Sequence, residues 1–76
     1  MRRLQTRPAA QDQAQGALRE SPFPALRDLE VHEADGALVL TGSVPSYYYK
    51  QLAQEAVRPV VGRLGLVNHI CVVKTS

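Results

Sequence analysis

The chain of 76 residues is long enough for one small domain, whose core supplies only a few kcal/mol of net stability and makes a deep catalytic cleft unexpected. Its 45% hydrophobic content is that of a folded globular protein rather than a disordered one. The net charge of +2 depends on Arg2, Arg3 and Arg7; without them the balance is slightly acidic, which argues against the concentrated basic face that nucleic-acid binding requires.

The sequence lacks the signals of an exported or membrane protein. Its basic start is followed by Ala-Ala-Gln-Asp-Gln-Ala-Gln, with no apolar run behind it, so we expect no secretory signal, no spanning segment and a cytoplasmic location. The single cysteine cannot form an internal disulfide, and four-ligand metal motifs are absent from the sequence.

The first predicted element is a short helix that follows a mobile basic tail at residues 1–8. Four small apolar residues recur at helical spacing: Ala10, Ala14, Ala17 and Leu18. The polar side of this helix includes Gln11 and Gln15. A segment with two prolines ends the helix, and we expect Phe23 and Leu26 to anchor this connection to the core.

Two strands joined by a tight turn come next. Apolar residues alternate from Leu29, and Asp35 with Gly36 gives a strong hairpin signal because both tolerate positive φ. The second strand places Leu38, Leu40 and Val44 inward and Val39 outward. Gly42, also on the inward face, predicts a bulge or the close approach of a helix.

A second helix follows, with Ser46 predicted as the N-cap whose hydroxyl accepts a first-turn N–H. Its apolar side carries Tyr49, Leu52, Ala53, Ala56, Val57 and Val60, and its polar side carries Tyr47, Lys50 and Arg58. Pro59 removes a backbone hydrogen bond, so we expect the helix to kink or end near Arg58, before Gly62 closes it.

The last predicted element is a strand that is apolar on both sides. One face carries Leu66, Asn68, Ile70 and Val72, and the other carries Val67, His69, Cys71 and Val73. A β-helix-β connection makes the second and last strands parallel, and we expect the first strand to lie between them. The fold class is therefore α+β: a small two-layer sandwich in the order helix-strand-strand-helix-strand, with a three-stranded mixed sheet and two helices on one face.

Residues that could carry chemistry are few. His32, His69 and Cys71 offer ligands to zinc or copper on one sheet face, but their spacing matches no recognised motif, and half-exposed strand residues are the better interpretation. A Cys-His nucleophile would need an oriented base, an oxyanion site and a pocket, none of which is visible. We therefore predict no enzyme activity, no metal, no cofactor and no small-molecule substrate.

Two segments and their glycine spacing carry a family resemblance. The segments are Leu38-Val39-Leu40-Thr41-Gly42-Ser43-Val44 and Val67-Asn68-His69-Ile70-Cys71-Val72, spaced together with Gly36 and Gly62. Residues 29–72 thereby resemble the BON domain (bacterial osmotic-shock and nodulation). The chain departs from that pattern at Pro59 and at Arg63, where the family usually has valine. The resemblance implies one BON-like domain at residues 9–74, usually non-enzymatic, that binds phospholipids, surfaces or proteins and is often periplasmic in other members.

The expected function is that of a binding or assembly module for a protein partner, a second copy, or an anionic phospholipid surface. Candidate binding residues occupy two surfaces: Val39, Val67, His69 and Val73 on the outer side of the sheet, and Tyr47, Lys50, Arg58 and Arg63 on or after the second helix. Structural roles are predicted for Gly36, Gly42, Ser46, Gly62 and Asn68. The alternative function is nucleic-acid binding by the arginines of the basic tail.

Overall fold

The computed structural model describes residues 9–74, so the basic tail expected at residues 1–8 lies outside the described residues. The described chain forms α1 (Ala10–Arg19), α2 (Pro24–Arg27), β1 (Glu30–Ala34), β2 (Ala37–Thr41), β3 (Ser43–Val44), α3 (Tyr47–Val61), β4 (Gly65–Asn68) and β5 (Cys71–Val72). The α+β class and the predicted element order are confirmed. The structure adds one helical turn, α2, and divides the second and last strands in two.

The central strand of the main sheet is β2. It pairs antiparallel with β1 and parallel with β4, so the strand order is β1-β2-β4. The parallel relation of the second and last strands is confirmed, but the expectation that the first strand lies between them is wrong. Strand β2 is apolar on both faces, which suits a strand with two neighbours, whereas β1 carries Glu30, His32 and Glu33 and tolerates an exposed edge.

The short strands β3 and β5 continue the same parallel ladder beyond a local interruption. The β2–β4 and β3–β5 pairs share one register: Ala37 pairs with Gly65 and Ser43 pairs with Cys71, each 28 residues further along the chain. The interruption is bridged by a backbone hydrogen bond in which the N–H of Cys71 donates to the carbonyl of Gly42 over 2.9 Å. The sheet is therefore built from three long strands: β1, β2–β3 and β4–β5.

Positive φ angles shape the two ends of β2. Asp35 has φ 51° and Gly36 has φ 77°, which confirms the tight primed turn between β1 and β2. Gly42, which separates β2 from β3, has φ 127°. A Cβ atom at this glycine would lie 2.7 Å from Cδ2 of Leu29, so the close neighbour is the residue before β1 and not a helix.

Helix α3 begins at the expected residue but ends later than expected. Ser46 occupies the N-cap position, but its hydroxyl makes no cap hydrogen bond, and Gly62 follows the last residue with φ 61°. The helix continues through Pro59 to Val61, so the end expected near Arg58 is not observed. It continues because the valines of its last turns still pack against the core, which compensates for the missing backbone hydrogen bond.

Helices α1 and α3 pack side by side against one face of the sheet. A single apolar cluster joins them to the strands, and its fully buried members are Ala14, Leu18, Leu26, Leu29, Val31, Leu38, Leu40, Val44, Ala53, Val57 and Ile70. Leu26 anchors the connection between the helices as expected. Phe23 does not, because 36% of it remains exposed at the surface.

Candidate functional site

The outer sheet face, defined by Val39, Val67, His69, Cys71 and Val73, lies opposite the helical layer. Val39 and Val67 are register partners on adjacent strands, and both are half-buried. The other three side chains are exposed, Val73 by 52%. None of the five belongs to the core cluster, and no described helix covers them. The structure thus brings the four candidate residues of the sheet together on one partly apolar surface.

The outer sheet face carries little charge. His32 is the cross-strand partner of Val39, and its Nε2 atom lies 3.9 Å from Oε1 of Glu30. No lysine or arginine belongs to β1, β2 or β4. This surface is therefore suited to an apolar, weakly charged partner rather than to a polyanion.

The candidate residues of α3 do not form one cationic cluster. Tyr47 is 68% exposed, and Lys50 is half-buried one turn further on. Arg58 lies eleven residues after Tyr47, or about 16 Å along the helix axis. Its guanidinium donates to the Glu55 carboxylate over 2.8 Å, which offsets its charge. Arg63 is exposed in the turn that follows the helix.

An apolar groove that the sequence did not indicate lies between α1, α2 and α3. It has a volume of about 490 Å³, and its lining residues are Ala17, Glu20, Ser21, Pro22, Phe23, Leu26, Leu52, Glu55 and Ala56. The partly exposed ring of Phe23, one of these lining residues, packs edge-on against Tyr49, with the ring centroids 6.1 Å apart. The sequence feature that could have indicated this groove is Phe23 between two prolines, because the prolines restrict the backbone there and keep the ring near the surface.

Side chains of α1 occupy the free edge of β1. Nε2 of Gln15 donates to the carbonyl of Leu29 over 2.7 Å, and the N–H of Val31 donates to Oε1 of the same Gln15 over 3.0 Å. One turn earlier, Oε1 of Gln11 accepts the N–H of Glu33 over 2.9 Å. The sequence predicted both glutamines on the polar side of the helix but not their bonds to β1. Their spacing of four residues, which puts them on one side of a helix, is the feature that could have indicated a shared role.

Asn68 fixes the end of β4 against α3. Its Nδ2 donates to the carbonyl of Lys50 over 3.1 Å and to Oε1 of Gln54 over 3.2 Å. Its Oδ1 accepts the N–H of Ile70 over 3.1 Å, inside the interruption between β4 and β5. One half-buried side chain thus ties the last strand to the helix and shapes the break in that strand.

The described residues offer no arrangement for metal chemistry. Between residues 9 and 74, no three histidine, cysteine, aspartate or glutamate side chains lie close enough together to hold a metal ion. The hypothesis that His32, His69 and Cys71 form such a site has no support from this geometry. Within the same residues, no helix has the length and apolar character needed to cross a bilayer.

Comparison with protein families identifies the chain. The family model of the BON domain matches residues 6–74, nearly the whole sequence, so the chain belongs to the BON domain family. The resemblance seen in the sequence is thereby confirmed. A comparison with curated proteins finds no match. The BON domain family is in general non-catalytic.

Proposed function

We propose that this BON domain is a non-enzymatic binding module that engages a protein partner through its outer sheet face. The observation that carries the proposal is the pair Val39 and Val67, which lie side by side on a surface that no described helix covers. An uncovered, partly apolar sheet face rimmed by polar residues is typical of an interaction site. Exposed Val73 extends the apolar surface along the last strand.

Charge favours a protein over an anionic membrane as the partner. Peripheral membrane binding gains about 1 kcal/mol from each lysine or arginine near the lipid surface, so several are needed. The outer sheet face has no lysine or arginine on the strands of the main sheet, and Glu30 of β1 lies at its border. On α3 and the turn after it, Arg58 is paired with Glu55, which leaves Lys50 and Arg63 as the cations of that surface without an acidic partner among the described residues, fewer than such binding needs.

The size of the face indicates a weak contact. Three strands about 4.8 Å apart and up to eight residues long cover an area of under about 400 Å². A standard interface buries about 800 Å² on each partner. We therefore expect association only at high protein concentration when the partner is a second copy of this chain.

The experiment compares two variants in a concentration series followed by light scattering. The wild type should associate reversibly towards millimolar concentration, and Val67→Lys should remain monomeric because the new charge would be buried without a partner. Gln51→Lys makes the same charge change at an exposed position of α3 and should behave as the wild type. Thermal melts of all three proteins exclude loss of folding as the cause.

Sedimentation with vesicles of phosphatidylglycerol and phosphatidylcholine separates the two classes of partner. We expect little binding at low salt. Strong co-sedimentation of the wild type that is lost in Lys50→Glu would indicate that the partner is an anionic membrane and not a protein. A wild type that stays monomeric at millimolar concentration would contradict the proposal.

A further inference from the structure

The two edges of the sheet differ in whether their backbone groups are already bonded. At the β1 edge, the carbonyl of Leu29 and the N–H groups of Val31 and Glu33 all bond to the glutamines of α1. The Gln15 amide thus makes the pair of hydrogen bonds that a residue of an added strand would make. This edge is closed to a further strand while α1 is in place.

The β4–β5 edge, defined as the outward backbone groups of residues 66–72, is open. The N–H groups of His69, Cys71 and Val73 donate inward to β2–β3 over 2.9, 2.9 and 2.8 Å. Because alternate residues of a strand point opposite ways, the N–H groups of Leu66, Asn68, Ile70 and Val72 point outward. Among residues 9–74, only that of Ile70 has a partner, the Oδ1 atom of Asn68.

The charge at the two edges is opposite in sign. Arg63 and Lys74 are exposed before and after the β4–β5 edge, and no acidic residue follows Glu55 in the sequence. Residues 28–35, which contain the strand at the other edge, carry four of the seven acidic residues of the chain: Asp28, Glu30, Glu33 and Asp35. The open edge is therefore a basic one.

A second copy of the same edge is not a suitable occupant. Antiparallel pairing of two β4–β5 edges about their midpoint, residue 69, would bring Arg63 of one copy to within one position of Lys74 of the other copy at both ends. Like charges brought together across neighbouring strands are destabilising. The acidic β1 edge of a second copy has the right charge, but three of its outward backbone groups are already bonded to Gln11 and Gln15.

We propose that the β4–β5 edge accepts an extended acidic segment of a partner protein as an added strand. Main-chain hydrogen bonds to Leu66, Asn68 and Val72 supply the attachment, and Arg63 and Lys74 select carboxylates at its ends. The added strand would lengthen the small outer sheet face beside Val67. This inference rests on the proposed function, because it names the class of protein partner that the domain binds.

The direct test is amide hydrogen exchange followed by nuclear magnetic resonance with a peptide of alternating glutamate and valine. At a free peptide concentration ten times the Kd, exchange at the outward amides of Leu66 and Val72 should slow about tenfold. The inward amides of His69 and Cys71, already bonded, should change little. A matched peptide of alternating lysine and valine should leave all four amides unchanged.

Two variants test the backbone and the charge separately. Val72→Pro removes one of the three attachment N–H groups at an edge position where proline is tolerated, and it should raise the Kd of the peptide about fivefold. Because Val72 packs against the core, a thermal melt checks that the variant still folds. Arg63→Glu combined with Lys74→Glu alters only exposed side chains, so folding is not at risk, and it should raise the Kd about tenfold at low salt. Equal binding of both peptides, or binding that neither variant weakens, would overturn the inference.

The outcome can be separated from that of the proposed function. Suppose Val67→Lys abolishes self-association but the acidic peptide leaves the amides of Leu66 and Val72 unprotected. The outer sheet face then remains a binding surface, and the edge inference is wrong. Protection of these amides in a chain that never self-associates would instead place binding at the edge alone.

Discussion

The Gln15 side chain should contribute a large share of the stability of this domain. It is half-buried in α1 and makes two hydrogen bonds to the backbone of the segment that leads into β1. Replacing it with leucine keeps the helix propensity and the size of the side chain but removes both hydrogen bonds. The carbonyl of Leu29 and the N–H of Val31 then lose their partners.

The expected loss follows from the burial of those two groups. Leu29 and Val31 are 1% and 2% exposed, so water reaches their backbone poorly in the folded state. Each lost hydrogen bond costs about 1 kcal/mol, and more where the remaining group stays unsatisfied. We expect Gln15→Leu to lower the free energy of unfolding by about 2–3 kcal/mol, which for a domain of this size lowers Tm by roughly 10–20 °C.

Urea denaturation of the wild type and three variants measures this loss. Gln51→Leu makes the same substitution at an exposed position of α3 and should change the free energy by less than about 0.5 kcal/mol. Gln15→Glu keeps the acceptor for Val31 but places a carboxylate against the carbonyl of Leu29, so it should also destabilise. A Gln15→Leu protein as stable as Gln51→Leu would refute the view that α1 closes the β1 edge.

Two further predictions concern residues that shape the sheet. Gly42→Ala should lower the free energy of unfolding, measured by urea denaturation, by about 2–4 kcal/mol, because alanine is strained at φ 127° and its Cβ would displace Leu29. Gly16→Ala, in α1 with open space around the new Cβ, should raise it by up to about 1 kcal/mol. Asn68→Ala removes three hydrogen bonds and should cost about 2–3 kcal/mol; a loss below about 0.5 kcal/mol would mean that water replaces those bonds fully.

The sequence predicted best where a local conformation depends on one or two residues. The positive φ angles at Asp35 and Gly36 and the helix end at Gly62 follow from the residues themselves, because few others adopt such angles at low cost. The position of Ser46 at the N-cap was also predicted. Its missing hydrogen bond was not, since the rotamer of a serine hydroxyl is not specified by the sequence pattern.

The features that the sequence did not predict depend on how distant elements are placed. An alternating strand such as β1 can be central or at an edge, and both β2 and the last strand are apolar on two faces, so the pattern did not indicate which of these two is central. Gln11 and Gln15 lie 14 to 22 residues from their backbone partners, so their role depends on where α1 crosses the sheet. For the same reason the contact between Leu29 and Gly42 could not be derived from either residue alone.

The closed β1 edge and the open β4–β5 edge have a joint consequence for assembly. Their charges are complementary, so if both were open, copies of the chain could add head to tail without limit, because such a contact does not close on itself. We infer that the glutamines of α1 oppose this by bonding three outward backbone groups of the β1 edge. This protection depends on a helix of mostly small apolar residues that has no side-chain cap. A domain with one guarded and one available edge can bind a single added strand and stop there, which is the behaviour expected of a binding module rather than of a filament subunit.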